Sequence, residues 1–307
     1  MSQHSSPDSA KLSRTWSLGS VALGAKRYYR LTKPGIIYGN AITVAAGFFF
    51  ASKGVIDLGL FLATLAGVSL VIGSACVFNN YIDRGIDAKM SRTKQRATVT
   101  GHISGRQDLS FATVLGFAGL GLLVAFTNIT TVVVGLIGLV FYVILYGVAK
   151  RRSVYGTEVG SVAGAMPIVA GYTAITGQLD MTAGLLFLIL AFWQMPHFYA
   201  IALFRISDYA NAGLPVMPVK RGVDVTKQRM LAYIVCFALA CAALALAGGA
   251  NYTTLVVSLA ASGAWLWRGL RHYSTTDTTL WARGLFGFSL LVLLAFSISI
   301  ASSAWLP

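Results

Sequence analysis

Leu58-Gly59-Leu60-Phe61-Leu62-Ala63-Thr64-Leu65-Ala66-Gly67-Val68-Ser69-Leu70-Val71-Ile72-Gly73-Ser74-Ala75-Cys76-Val77-Phe78 runs without a break into Asn79-Asn80-Tyr81-Ile82-Asp83-Arg84-Gly85-Ile86-Asp87-Ala88-Lys89-Met90-Ser91-Arg92-Thr93-Lys94-Gln95-Arg96. The first part has the length that a helix needs to cross a hydrocarbon core. The second concentrates charge in a chain otherwise poor in it. If the helix continues through both, Asn80, Asp83 and Asp87 fall at i, i+3 and i+7 and share a face. Two carboxylates at i and i+4 repel by roughly 0.2–0.5 kcal/mol in an isolated helix, and a bound divalent cation would reverse that cost. Mg²⁺ commonly sits between one or two carboxylates and substrate phosphates. This face therefore reads as a catalytic metal–diphosphate site, with Arg92, Lys94 and Arg96 placed for phosphate oxygens. For the basic residues alone, a solvated loop that merely follows the charge bias of membrane proteins stays open.

The rest of the composition agrees with a membrane setting. The chain has 307 residues, 56% of them hydrophobic and only 11% charged. Long apolar runs at that density indicate an all-α polytopic membrane protein. A net charge of +14 would suggest nucleic acid in a soluble protein. Here topology explains it, and no nucleic-acid partner is expected. Cys76, Cys236 and Cys241 lie in apolar spans without metal-ligand spacing, so neither a disulfide framework nor structural zinc is expected. The first apolar run begins near Gly35, after a polar, basic lead, and reads as a retained span.

Nine transmembrane spans are expected, near 36–53, 58–79, 109–127, 130–149, 158–177, 182–204, 230–249, 252–268 and 284–305. Residues 1–25, rich in Ser and Gly, read as a mobile cytosolic tail, and 26–307 as one intramembrane domain. Of the 24 Lys and Arg residues, Lys53 alone falls on one side of this arrangement. The positive-inside rule then places the N-terminus in the cytoplasm and the C-terminus outside.

The two larger charged loops follow spans 2 and 6. Each opens with acid, Asp83/Asp87 and Asp208, and each then carries basic residues, Arg92/Lys94/Arg96 and Lys220/Arg221. This suggests two four-helix pseudo-repeat halves around a central cavity, plus a ninth helix, with both loops facing that cavity. Chance placement is the competing explanation, since every cytosolic loop tends to be basic. Gly160-Ser161-Val162-Ala163-Gly164 and Ala165-Met166-Pro167 read as packing features. Lys150-Arg151-Arg152 reads most simply as a topology anchor.

Phe192-Trp193-Gln194-Met195-Pro196-His197-Phe198 puts Gln194 and His197 inside span 6, where unpartnered polar groups are costly. A packing histidine is one reading. The eleven-residue spacing to Asp208 is close to three turns, so a continuous helix would put His197 and Asp208 on one face. A metal–diphosphate site opening into a membrane cavity suits an isoprenyl diphosphate. A fifteen-carbon tail would gain on the order of 10 kcal/mol from burial, at about 0.8 kcal/mol per CH₂.

Asn80-x-x-Asp83-x-x-x-Asp87 followed by Met90-x-Arg92-Thr93-x-x-Arg96 resembles the first aspartate-rich motif of the UbiA-type intramembrane prenyltransferases. Arg152-Ser153-Val154-Tyr155-Gly156-Thr157, Trp193-Gln194-Met195-Pro196-His197, and Phe204-Arg205-x-x-Asp208-Tyr209 through Gly213-Leu214-Pro215-Val216-Met217-Pro218-Val219 resemble its protoheme IX farnesyltransferase branch. The resemblance covers about residues 26–300. It implies farnesyl diphosphate and haem B as substrates, Mg²⁺ as cofactor, and haem O plus diphosphate as products. It assigns Asn80, Asp83 and Asp87 to the metal, Arg92, Lys94 and Arg96 to the diphosphate, and Asp208 to the second acidic motif. Lys220 and Arg221 are expected to assist at the diphosphate, and His197 and Gln194 to position the haem. Haem-handling or terminal-oxidase assembly partners are further expectations. Ala212 stands where many relatives carry a second carboxylate, which leaves a second metal open. Competing readings are prenylation of another lipophilic aromatic acceptor, such as a quinone precursor, an anion transporter, and a non-catalytic haem carrier.

Overall fold

The computed structural model describes residues 18–305, and among them every regular element is helical. The chain forms α1 (Leu18–Leu31), α2 (Pro34–Ser52), α3 (Leu58–Asp87), α4 (Gly105–Phe126), α5 (Ile129–Val140), α6 (Tyr146–Arg152), α7 (Gly156–Thr176), α8 (Met181–Phe204), α9 (Ile206–Asn211), α10 (Met217–Arg221), α11 (Val223–Leu246), α12 (Tyr252–Arg271) and α13 (Thr278–Ala301). A π-helical turn at Phe141–Leu145 joins α5 and α6 into one span, Ile129–Arg152.

Eight of the described helices are long and apolar enough to cross a membrane, where nine were expected. The shortfall is α12, which is long enough but carries Thr253, Thr254, Ser258, Ser262, Arg268 and Arg271 within its twenty residues. Helix α1 begins at Leu18, within the stretch 1–25 expected as a tail, and residues 1–17 lie outside the described residues.

Several helices start before their apolar runs do. Ser104 and Gln107 form a reciprocal capping box that starts α4 at Gly105, and the Asp277 carboxylate caps α13 by accepting from the Leu280 amide at 2.9 Å. Hydropathy marks the stretch compatible with lipid, whereas capping chemistry marks where the helix begins.

Helices α2–α6 form one half and α7–α13 the other. Within the halves α3 packs on α4 and α8 on α7, α11 and α13; across them α2 packs on α7 and α13, and α5 on α7. The α2–α7 crossing is glycine-based. A β-carbon at Gly47 would collide with the Ile168 carbonyl, and one at Gly171 with the Val44 carbonyl. Each helix thus receives the other's backbone in a glycine notch, the close approach that small residues permit in membranes. The main core (Val44, Leu123, Ile168, Leu186, Tyr199, Phe237, Trp265, Phe296) runs through both halves.

Candidate active site

Helix α3 does continue through the charged stretch, and it ends only at Asp87. Asn79, Asn80, Asp83 and Asp87 are all buried. The ordinary 3.6-residue repeat puts Asn79, Asp83 and Asp87 at successive i+4 positions along one face. Asp83 accepts from Arg151 Nη2 at 2.8 Å and from the Lys150 ammonium, and Arg151 also donates to the Ile82 carbonyl. Asp87 is paired with Arg96, while Thr93 Oγ1 donates to the Asp87 carbonyl at 2.9 Å. Lys33 Nζ donates to Asn79 Oδ1 at 3.1 Å. The protein packed around Lys33 pushes its ammonium down to about 8, and the positive charges of Arg96 and Lys150 act in the same direction. Lys33 reaches this position from a left-handed backbone (φ 54°), a conformation that costs a non-glycine residue of order 1 kcal/mol.

Lys150 and Arg151 are therefore more than an anchor for topology. They close on Asp83 because the π-helical turn that leads into α6 packs on α3, and sequence spacing could not reveal that contact. Lys33 and Asn79 were missed as well. The i+4 spacing of Asn79 from Asp83 was the available signal, whereas nothing local marked Lys33. Asn80 turns away from this group: its Nδ2 donates to the Leu31 carbonyl at 2.8 Å, and its buried Oδ1 has no partner among the described residues.

The second acidic motif does meet the first. Ser91 Oγ donates to Asp208 Oδ1 at 2.7 Å and Oδ2 at 3.0 Å, and Arg205 lies 3.8 Å from the same carboxylate. Met90, Ala212 and Leu214 form a small apolar cluster beneath this bridge. Arg92 and Lys94 are exposed. Lys220 and Arg221 are also exposed, pair with no acid among the described residues, and line neither of the two cavities described here. Their expected place at the diphosphate is thus unsupported, because α10 turns its last residues outward.

A cavity of about 400 Å³ opens beside Lys150, Tyr146, Tyr209 and Ser153 and continues between Val68, Val71, Gly135, Leu190 and Leu293 to Trp193, Gln194 and His197. Its mouth is polar and its depth apolar, as an amphiphile with a charged head requires. Gln194 is buried and donates to the Leu190 and Ser161 carbonyls; Gly164 leaves room for its amide. His197 Nδ1 lies 2.7 Å from Ser289 Oγ, and its ring stacks on Trp193 at 4.9 Å and tilts against Phe286 at 4.7 Å. The continuous helix from His197 to Asp208 does not form. The chain leaves helical geometry at Arg205 (φ −120°, ψ 20°) and restarts as α9, so Asp208 takes its direction from that break and from Ser91.

The donor set suits a hard divalent cation. Two carboxylates one turn apart, with an amide oxygen one turn before them, offer oxygen ligands only, and three cations now balance the acids. Among the described residues no three His, Cys, Asp or Glu side chains cluster.

Comparison with known proteins agrees with this geometry. Residues 40–301 match the UbiA prenyltransferase family. The chain is 50% identical over 283 residues to the protoheme IX farnesyltransferase of Shigella sonnei, covering 92% of this chain and 96% of that one. It is 52% identical over 274 residues to that of Yersinia enterocolitica, covering 89% and 93%. A digeranylgeranylglyceryl phosphate synthase structure superposes with a TM-score of 0.75 at 18% identity, covering 91% of this chain and 98% of that one. A UbiA homolog from Archaeoglobus fulgidus, bound to GPP and Mg²⁺, superposes with a TM-score of 0.65 at 15% identity, covering 90% and 99%. A family match across most of the chain and two relatives at half identity join the facing acidic motifs and the half-polar cavity in one conclusion: the chain belongs to the UbiA prenyltransferase family.

Proposed function

We propose that the chain transfers the farnesyl group of farnesyl diphosphate to a vinyl group of protoheme IX (haem B), with addition of water, giving haem O and diphosphate. The observation that carries this reading is an acid–cation cluster whose Lys150, bonded to Asp83, lines an intramembrane cavity that also reaches His197 among aromatic rings. Relatives at 50% and 52% identity carry the corresponding name. A quinone-type acceptor is disfavoured by those names.

Asp83 and Asp87 would hold Mg²⁺, and Asn79 supplies an amide oxygen beside them. When bound, the ion would offset charge on the departing diphosphate. Lys150, Arg151, Arg96 and Lys33 stabilise the same developing charge as prearranged donors. Heterolysis of the allylic C–O bond leaves a farnesyl cation in the apolar part of the cavity. The haem vinyl attacks it, and water adds at the resulting cationic carbon, releasing a proton. No protein nucleophile is needed, so the work of the protein is positioning and control of water. His197, steadied by Ser289, positions the acceptor. We also infer a location in the bacterial inner membrane, with the charged cluster on the cytoplasmic side, and a single domain from residue 26 onward. Haem-handling or terminal-oxidase assembly partners would deliver or receive the porphyrin.

The test is a mass spectrum of haem recovered after purified protein meets haem B, farnesyl diphosphate and Mg²⁺. Haem carrying one farnesyl group plus one water is the expected product. Prenylated 4-hydroxybenzoate formed in preference to it would reject the acceptor assignment.

A further inference from the structure

A second cavity, of about 430 Å³, lies on the other side of the acidic cluster, between α1 and the segment that follows α3. Lys26, Arg27, Arg30, Arg92, Arg96 and His102 line it, and no Asp or Glu does. Four of those cations have no ion-pair partner among the described residues: Lys26, Arg27, Arg30 and Arg92. Arg96 is paired with Asp87. Beneath the cavity, Leu31, Val77, Ile103 and Ala112 pack with Tyr28 and Phe111, so α1 is fastened to the bundle by an apolar floor. The site lies where α1 passes through Thr32-Lys33 into the first span and where α3 leaves the last turns of the second. That is the boundary between bilayer and water, where basic cavities meet phosphate headgroups. Leu23, 52% exposed, adds an apolar edge on α1. Asn80 lines the same wall, its Nδ2 held by the Leu31 carbonyl.

We propose that this cavity binds the anionic headgroup of a glycerophospholipid, with the phosphate among the α1 cations and Arg92. Arg96 connects it to the reaction. Its guanidinium borders the lipid site while holding Asp87, so a bound phosphate shares its charge and leaves the Asp87 carboxylate freer to hold the cation, with Arg96 still beside the diphosphate. Anionic lipid thereby lowers the Mg²⁺ concentration needed for turnover. The binding arm is independent of the reaction assignment, since lipid retention is measured without turnover.

The full chain is purified into nanodiscs of phosphatidylcholine alone or with phosphatidylglycerol, as wild type and as Lys26→Gln/Arg27→Gln/Arg30→Gln. Native mass spectrometry after detergent release reads retained lipid. Wild type is expected to keep phosphatidylglycerol, and the triple variant to keep at least about fivefold less. Phosphatidylglycerol should reduce the half-saturating Mg²⁺ of wild type several-fold and leave that of the variant unmoved. In phosphatidylcholine alone the two proteins should turn over equally. Equal retention of phosphatidylglycerol by both proteins overturns the proposal. So does the same Mg²⁺ shift produced by inorganic phosphate in phosphatidylcholine discs, which would make the occupant a free anion. A loss of farnesyl diphosphate affinity in the variant without phosphatidylglycerol would assign the cavity to substrate and overturn it equally.

Discussion

Ser91 and Asp208, 117 residues apart, are joined by a hydroxyl that donates to both oxygens of one carboxylate, at 2.7 and 3.0 Å. This bridge brings the acidic end of α9 onto the segment following α3, so the two halves meet in hydrogen bonds as well as in helix packing. Ser91→Ala should leave the buried carboxylate short of donors, at about 1–3 kcal/mol. The expected result is a several-fold higher KM for farnesyl diphosphate and faster proteolysis within residues 88–104. Ser91→Thr, which keeps the hydroxyl, should restore both.

Asp83→Asn and Asp87→Asn should each lower turnover by on the order of 100-fold or more, the scale of losing one charge-stabilising group in an active site. Asp83→Asn also removes the acid shared by Lys150 and Arg151, and with Arg151 38% exposed the cost stays below the about 3–5 kcal/mol of breaking a fully buried pair. Its Tm should fall further than that of Asp87→Asn, whose partner Arg96 can turn to the basic cavity. Ordinary turnover by either variant at ordinary Mg²⁺ would dismiss the metal assignment.

Lys220 and Arg221 offer a control. Both are exposed and line neither cavity, so Lys220→Gln/Arg221→Gln should change the KM for farnesyl diphosphate less than about twofold, within the small effects usual for exposed charges. Lys150→Gln should raise it at least tenfold. A reversal of that order in steady-state kinetics would return α10 to the site.

His197→Ala should weaken haem binding and product formation while leaving farnesyl diphosphate affinity nearly unchanged. The variant also loses stacking on Trp193 and Phe286, aromatic contacts worth about 0.5–1.5 kcal/mol each. Calorimetry therefore accompanies the binding titrations. A uniform drop in stability and in both affinities would make His197 a packing residue. Ser289→Ala should reproduce part of the haem defect without the loss of packing.

The path of α3 could be read from the sequence because two periodic signals coincide: an apolar run of membrane length and acids at helical spacing directly after it. The junction between charged segments was also legible, since acid follows the second and sixth spans alike. The partners of those acids were not. Lys150 and Arg151 end a different span from Asp83, and only the packing of the π-helical turn before α6 against α3 brings them together. The break at Arg205 escaped detection for another reason. Phe204-Arg205-Ile206 contains neither Pro nor Gly, and nothing in its residue types stops a helix. Residues such as Arg268 and Arg271 made α12 too polar for the apolarity expected of a span, although its length is sufficient.

The paired notches at Gly47 and Gly171 bear on how substrates enter. Where each backbone is seated in the other, α2 and α7 cannot slide by a turn without first lifting apart, and the cavity wall they share behaves as a fixed mould. An exchange of inward and outward openings by rocking one half against the other would have to break that seat. Adjustment is left to the rim: the stretch from 88 to 104, the short helices α9 and α10, and the side chains that hold Asp83 and Asp87. The same vessel can then admit a long tail and a flat ring in sequence, while only its lip responds to which of them has arrived.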